Sequence, residues 1–183
     1  MTTRHTLVAE LERLADALST EGGVPAERLQ IVPLAERIAK SLGVRTDEVA
    51  IMAVSLRWKH LYFLAPAELK NIGFVPLSSN SALAARTARE AKAEIVNNFA
   101  AVRHASVIEG VKIGTESGEA LQKIISAPIL AEERVVGVMQ VSRKGATAMS
   151  VGPDFTAEEL SRVVALCRPL GKLLAHLSID SET

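Results

Sequence analysis

The side chains best able to do chemistry in this chain are one cysteine and four histidines. Cys167 is the single thiol, which excludes an intrachain disulfide, a multi-cysteine metal site and any reaction that needs an attacking and a resolving thiol together. It falls where Leu160, Val163, Leu170, Leu174 and Leu177 recur at steps of three and four, so it reads as a packing group on the apolar seam of a helix. His60 stands beside Trp58 and Tyr62 in an extended segment, a setting for a surface or half-buried ring. His104 lies in an irregular stretch where a pocket role and an ordinary loop role are both open. No carboxylate or second histidine stands at metal-ligand spacing from it. His5 and His176 fall in terminal helices and read as solvated. No dinucleotide fingerprint or nucleophile elbow occurs, and the segment from Gly114 to Gly118 lacks the Lys and Ser/Thr that a phosphate-cradling loop needs.

The most suggestive constellation is Ser78, Ser79, Asn80 and Ser81, followed one turn later by Arg86. Hydroxyls and free amides at a helix start, with a guanidinium nearby, make a site for a phosphate or carboxylate. The plainer reading is an over-determined helix cap with a solvated arginine. An anionic small molecule is expected between this cap, the loop of Asn97, Asn98 and His104, and the strand residues Gln140 and Arg143.

These residues need elements to place them. Leu7, Leu11, Leu14 and Leu18 form one seam of an opening helix, which either packs on its own domain or meets a second copy. A second helix carries Leu34, Ile38 and Leu42, with Pro33 in its first turn and Gly43 as its stop. Residues 48–55 and 58–64 read as a hairpin; Val49, Ile51 and Ala53 alternate with Met52 and Val54, so the first strand is expected to be covered on both faces. A loop-rich stretch leads to an alanine-rich helix over Ala82 to Ala93, with Arg86 and Arg89 outward, and then a short strand at 94–97. Residues 123–130 and 134–142 form a second hairpin, with Pro128 marking a bulge or edge. Thr156 and Glu159 make a capping box for a last helix that Pro169 should bend.

The chain has 183 residues, 48% of them hydrophobic and 23% charged, enough for one core and not for two. We divide it into an amphipathic helix over 1–23, a domain over 24–179 and a tail over 180–183. Lys plus Arg equals Asp plus Glu at 21 each, so no global field gathers nucleic acid or an anionic membrane. No apolar run approaches a membrane span or a signal peptide, and with one cysteine the expected compartment is the cytoplasm.

In Ile124-Ile125-Ser126-Ala127-Pro128-Ile129-Leu130, followed by Val136-Gly137-Val138-Met139-Gln140-Val141-Ser142-Arg143, the chain resembles the GAF domain family. Supporting segments are Ile72-Gly73-Phe74-Val75-Pro76-Leu77 before the alanine-rich helix, Ile95-Val96-Asn97-Asn98 after it, and Phe155-Thr156 opening the last helix. The resemblance covers about residues 28–177; a PAS-like sensor is the second resemblance. It implies an α+β fold: a central antiparallel sheet of five or six strands, N- and C-terminal helices on one face, and ligand-side loops and helix on the other. It places Phe74 and Phe99 in pocket-side loops. The relatives that reduce free methionine sulfoxide use thiols this chain lacks, and of the cyclic-nucleotide signature only Asn97, Asn98 and Phe99 fit in part. The resemblance therefore implies a non-catalytic, cofactor-free, small-molecule-sensing regulatory domain. It would act through a regulatory protein partner and form a homodimer through its terminal helices. The alternative is a dimerisation or interaction module whose pocket is filled by its own side chains.

Overall fold

The structure is a computed structural model that describes residues 2–17, 30–70, 73–99 and 120–176. The elements run α1 (Thr2–Ala17), α2 (Ile31–Leu42), β1 (Val49–Ser55), β2 (His60–Ala65), β3 (Phe74–Pro76), α3 (Leu83–Glu90), β4 (Glu94–Val96), β5 (Ala120–Ala131), β6 (Arg134–Gly145) and α4 (Ala157–Leu174). The six strands form one antiparallel sheet in the order β3-β2-β1-β6-β5-β4. Helices α1, α2 and α4 cover one face and α3 the other, as the α+β expectation required.

Side-chain alternation along the strands assigns the two faces. Val49, Ile51 and Ala53 of β1, with Ile125, Ala127 and Ile129 of β5 and Met139 and Val141 of β6, enter the core under the three terminal helices. Met52, Val54, Leu61, Phe63, Val75 and Val138 enter the core under α3. The central strand is thus covered on both sides.

Several local signals act as their chemistry requires. Gly43 ends α2 with φ 72°, and its amide and that of Val44 close on Lys40 and Ala39 carbonyls. The Thr156 hydroxyl accepts from the Glu159 amide at 3.2 Å while the Glu159 carboxylate accepts from the Thr156 amide at 3.1 Å. Helix α4 runs through Pro169, which is buried. At Gly171 it comes so close to β5 that a Cβ would lie 1.9 Å from the Leu130 carbonyl oxygen.

Two expectations need correcting. Trp58 belongs to the turn between β1 and β2 and not to the strand, which begins at His60. Helix α3 stops at Glu90, three residues short of the expected end, because Ala91 turns left-handed (φ 52°) and its amide closes on the Thr87 carbonyl. Of the two roles open to the first leucine seam, packing accounts for Leu7 and Leu11, which are buried in the chain's own core with Ala15; Leu14 stays exposed. Leu18 and Leu177 lie outside the described residues.

Candidate functional site

The loop before α3 is organised by its own polar groups. Ser79 Oγ accepts from the Ala82 amide at 3.1 Å, and the Ser79 and Ser81 hydroxyls lie 3.4 Å apart. The Arg89 guanidinium, from the last turn of α3, donates back to the Leu77 and Ser79 carbonyls at 2.5 and 2.7 Å. The helix cap proper is Ala82, which has no side-chain oxygen, so the serine cluster shapes the approach to α3 and does not cap it.

Beside this helix start lies a cavity of about 120 Å³ lined by Asn80, Ser81, Ala82, Leu83, Arg86, Val96 and Phe99. The sequence-selected Asn80, Ser81 and Arg86 therefore line one cavity, and Ser79 meets it only through its hydroxyl contact with Ser81. An apolar cavity of about 150 Å³ holds a benzene ring, so this space suits a group of a few heavy atoms. Arg86 is half exposed and pairs with Glu94, whose Oε1 accepts from Nη2 at 2.9 Å and Nε at 3.1 Å. At that exposure the pair contributes at most about 1 kcal/mol, so it is easily exchanged for another anion.

Gln140 sits deeper under α3, in a chain of buried hydroxyls. Its Nε2 donates to Ser126 Oγ at 3.2 Å, Ser126 Oγ meets Thr87 Oγ1 at 2.7 Å, and Thr87 reaches the Leu83 carbonyl at 2.9 Å. This chain ties α3 to the sheet. A hollow of about 20 Å³ opens at Gln140, Ser142, Glu48 and Lys144, room for about one water molecule. Leu83, Phe99, Leu121 and Ile124 pack together, with Leu83 and Phe99 lining the larger cavity and Leu121 and Ile124 the smaller one.

The remaining expected residues do not join this site. Arg143 is three positions from Gln140 in β6, an odd step, so it emerges on the opposite face. There its guanidinium lies 4.1 Å above the Phe155 ring, donates to the Pro153 carbonyl and pairs with Glu159 at 3.0 Å. Asn97 also turns to this region: its Nδ2 donates to the Phe155 carbonyl at 3.2 Å and its Oδ1 accepts from the Phe155 amide at 2.8 Å. Lys123, missed in the sequence, completes the fastening; its buried Nζ reaches the Gly152 carbonyl at 2.8 Å and Asp154 at 2.8 Å. A lysine inside an apolar strand was the available signal. Asn98 is exposed, and Phe74 is exposed on edge strand β3, stacked on His60 at 4.4 Å. Phe74 pairs with Tyr62 while Val75 enters the core under α3, so Phe74 faces away from the cavity. His104 lies outside the described residues.

The titratable groups offer no activated nucleophile among the described residues. Burial pushes the Cys167 thiol up to about 12, which keeps it protonated at neutral pH. Desolvation lowers the pKa of His60. No group of three or more His, Cys, Asp or Glu could hold a metal among the described residues, and no helix there is long and apolar enough to cross a membrane.

A second concavity of about 340 Å³ lies on the helix face, lined by Leu7, Val8, Ser41, Leu42, Ala165 and Leu166 with Glu158, Ser161 and Arg162 at its polar side.

No family model matches the chain, and no curated protein matches it in sequence. Solved structures do match in fold. The GAF domain of an Acinetobacter phosphoenolpyruvate-protein phosphotransferase aligns over 95% of this chain and 91% of its own, at 18% identity and TM-score 0.66. The GAF domain of the Coxiella burnetii phosphoenolpyruvate-protein phosphotransferase aligns over 96% of each chain, at 13% identity and TM-score 0.66. The free methionine-R-sulfoxide reductase of Neisseria meningitidis, solved with its substrate, aligns over 96% of this chain and 89% of its own, at 11% identity and TM-score 0.61. The same architecture is thus found in the GAF domains of two phosphotransferases and in a reductase, and the chain described above has the GAF-domain fold.

Proposed function

We propose that this chain is a non-catalytic regulatory domain that takes a small anionic group into the cavity at the start of α3. The observation that carries the reading is the position of Arg86: its guanidinium lines the cavity with Asn80 and Ser81 and, among the described residues, is held by the half-buried Glu94 carboxylate, which an incoming anion would replace. The cavity volume supports a phosphate- or carboxylate-bearing metabolite with only its anionic end enclosed. Two further observations support sensing over catalysis: the one thiol is buried and protonated, and the path from cavity to helix is short. Val96 and Phe99 line the cavity, and Asn97 between them holds the Phe155 backbone just ahead of the α4 cap. Occupancy would reach the terminal helices through that side chain, and a regulatory protein partner would read them.

A second reading, an interaction module that holds no ligand, draws on one observation: the groove between α1, α2 and α4 is about 340 Å³ against about 120 Å³ for the ligand-side cavity. Native mass spectrometry of the purified chain, followed by thermal-shift titration with phosphate, carboxylate and nucleotide panels, separates the two. A bound species, or a shift that Arg86→Ala removes while Arg143→Ala leaves its ligand dependence intact, upholds the sensor. An empty chain that responds to nothing in the panels moves the assignment to the interaction module.

A further inference from the structure

The sheet ends in two adjacent hairpin tips of opposite charge. Ala53 of β1 pairs with Gly137 of β6, so the turn after β1 and the turn before β6 lie at the same end of the sheet. With strands about 4.8 Å apart, and β1 beside β6, the tips are roughly 10 Å apart. The first tip is Leu56-Arg57-Trp58-Lys59 and contains no carboxylate; the second is Glu132-Glu133 between Ala131 and Arg134. The carboxylates of Glu132 and Glu133 and the ammonium of Lys59 form no ion pair among the described residues.

Two independent features mark these tips as more than connections. Lys59, Glu132 and Glu133 all adopt positive φ (54°, 50° and 68°), the conformation that turns ordinarily give to Asn or Gly. Charged side chains sit at the positions where backbone conformation disfavours them. The tips also carry Leu56, Trp58 and Leu130, exposed by 56%, 61% and 40%, with the Arg57 guanidinium 5.1 Å from the Trp58 ring centre. Apolar groups left in water beside the charges of Lys59, Glu132 and Glu133 are the composition of an interface core and rim.

We infer that this sheet end is a self-complementary contact for a second copy of the chain. A two-fold axis between the tips sets the basic tip of each copy on the acidic tip of the other, so each ion pair forms twice and Trp58 meets Leu130. A nucleic acid would be repelled by Glu132 and Glu133, and a purely acidic partner would leave them unpaired. The contact involves about eight side chains a copy, against the roughly 20 to 30 of a standard interface, so the dimer is weak and salt-sensitive. It is independent of the cavity and of the groove on the helix face.

The test is sedimentation velocity from about 10 μM to about 1 mM at low and high salt, the range where small interfaces dissociate. The wild-type chain is expected to dimerise in low salt and to dissociate as salt rises. Arg57→Glu with Lys59→Glu, and separately Glu132→Lys with Glu133→Lys, should each raise the dissociation constant at least tenfold. Circular dichroism would verify that both variants are folded. An equimolar mixture of the two should restore association, because each reversed tip then meets its complement. Four results overturn the inference: a wild-type chain monomeric at the highest concentration, a dimer unaffected by either reversal, no rescue on mixing, or a monomer that binds anionic vesicles through Trp58.

Discussion

Replacing Asn97 by alanine removes a side chain that joins the cavity wall to the start of α4. Two hydrogen bonds are lost, from Nδ2 to the Phe155 carbonyl and from the Phe155 amide to Oδ1. A net intramolecular hydrogen bond contributes about 0.5–1.5 kcal/mol, and a buried amide left without a partner costs about 1–3 kcal/mol. Asn97 is only half-buried, so water can reach part of the gap, and the two contributions overlap. The expected loss is about 2 kcal/mol, which for a chain of this size lowers Tm by roughly 4–8 °C. Asn97→Asp should fare no better: its carboxylate still accepts from the amide but then faces the Phe155 carbonyl without a donor. Urea unfolding is best followed by far-UV circular dichroism, because Trp58, the single tryptophan, is exposed and reports little of the core. Hydrogen exchange should show faster exchange at residues 155–159 and unchanged protection in β1. A loss below about 0.5 kcal/mol with unaltered protection in α4 would refute the clamp, since two ordered hydrogen bonds cannot vanish at that cost.

Gly171→Ala should cost at least about 1–3 kcal/mol by overpacking, since its Cβ would meet the Leu130 carbonyl oxygen at 1.9 Å and α4 would have to lift from β5; urea midpoints measure it. Ala91→Gly should stabilise the fold by about 0.5–1 kcal/mol, because the left-handed C-terminal residue of α3 then carries no Cβ penalty. Cys167 should resist thiol reagents in the folded chain at pH 8 and react fully in urea. Its pKa is raised from the ordinary 9.0 to about 12 by burial, so above pH 9 the unfolded chain releases a proton that the folded chain retains, and stability falls with rising pH. The loss grows as pH rises past the ordinary thiol range, and Cys167→Ala should abolish this component. The purified chain should show no reduction of free methionine sulfoxide in a thiol-coupled assay.

A period of two in residues 49–54 and steps of three and four in α4 are properties of neighbouring residues, and they place β1 in a two-sided core and the Cys167 seam against the sheet. The capping pair Thr156 and Glu159 and the stop at Gly43 are equally local. An odd separation within one strand puts Gln140 and Arg143 on opposite faces, so the two cannot line one pocket. Other assignments had no local trace. Asn97 finds its partner 58 residues away, Thr87 finds Ser126 across 39, and the pairing of Arg86 with Glu94 depends on where β4 lies. Sequence alone determined which stretches form helices and strands, because backbone propensity and side-chain periodicity act over a few residues. Only the tertiary structure decided which polar groups became a cavity wall and which became fasteners, because a hydrogen bond needs two groups within about 3 Å, and that proximity arises only when the sheet assembles.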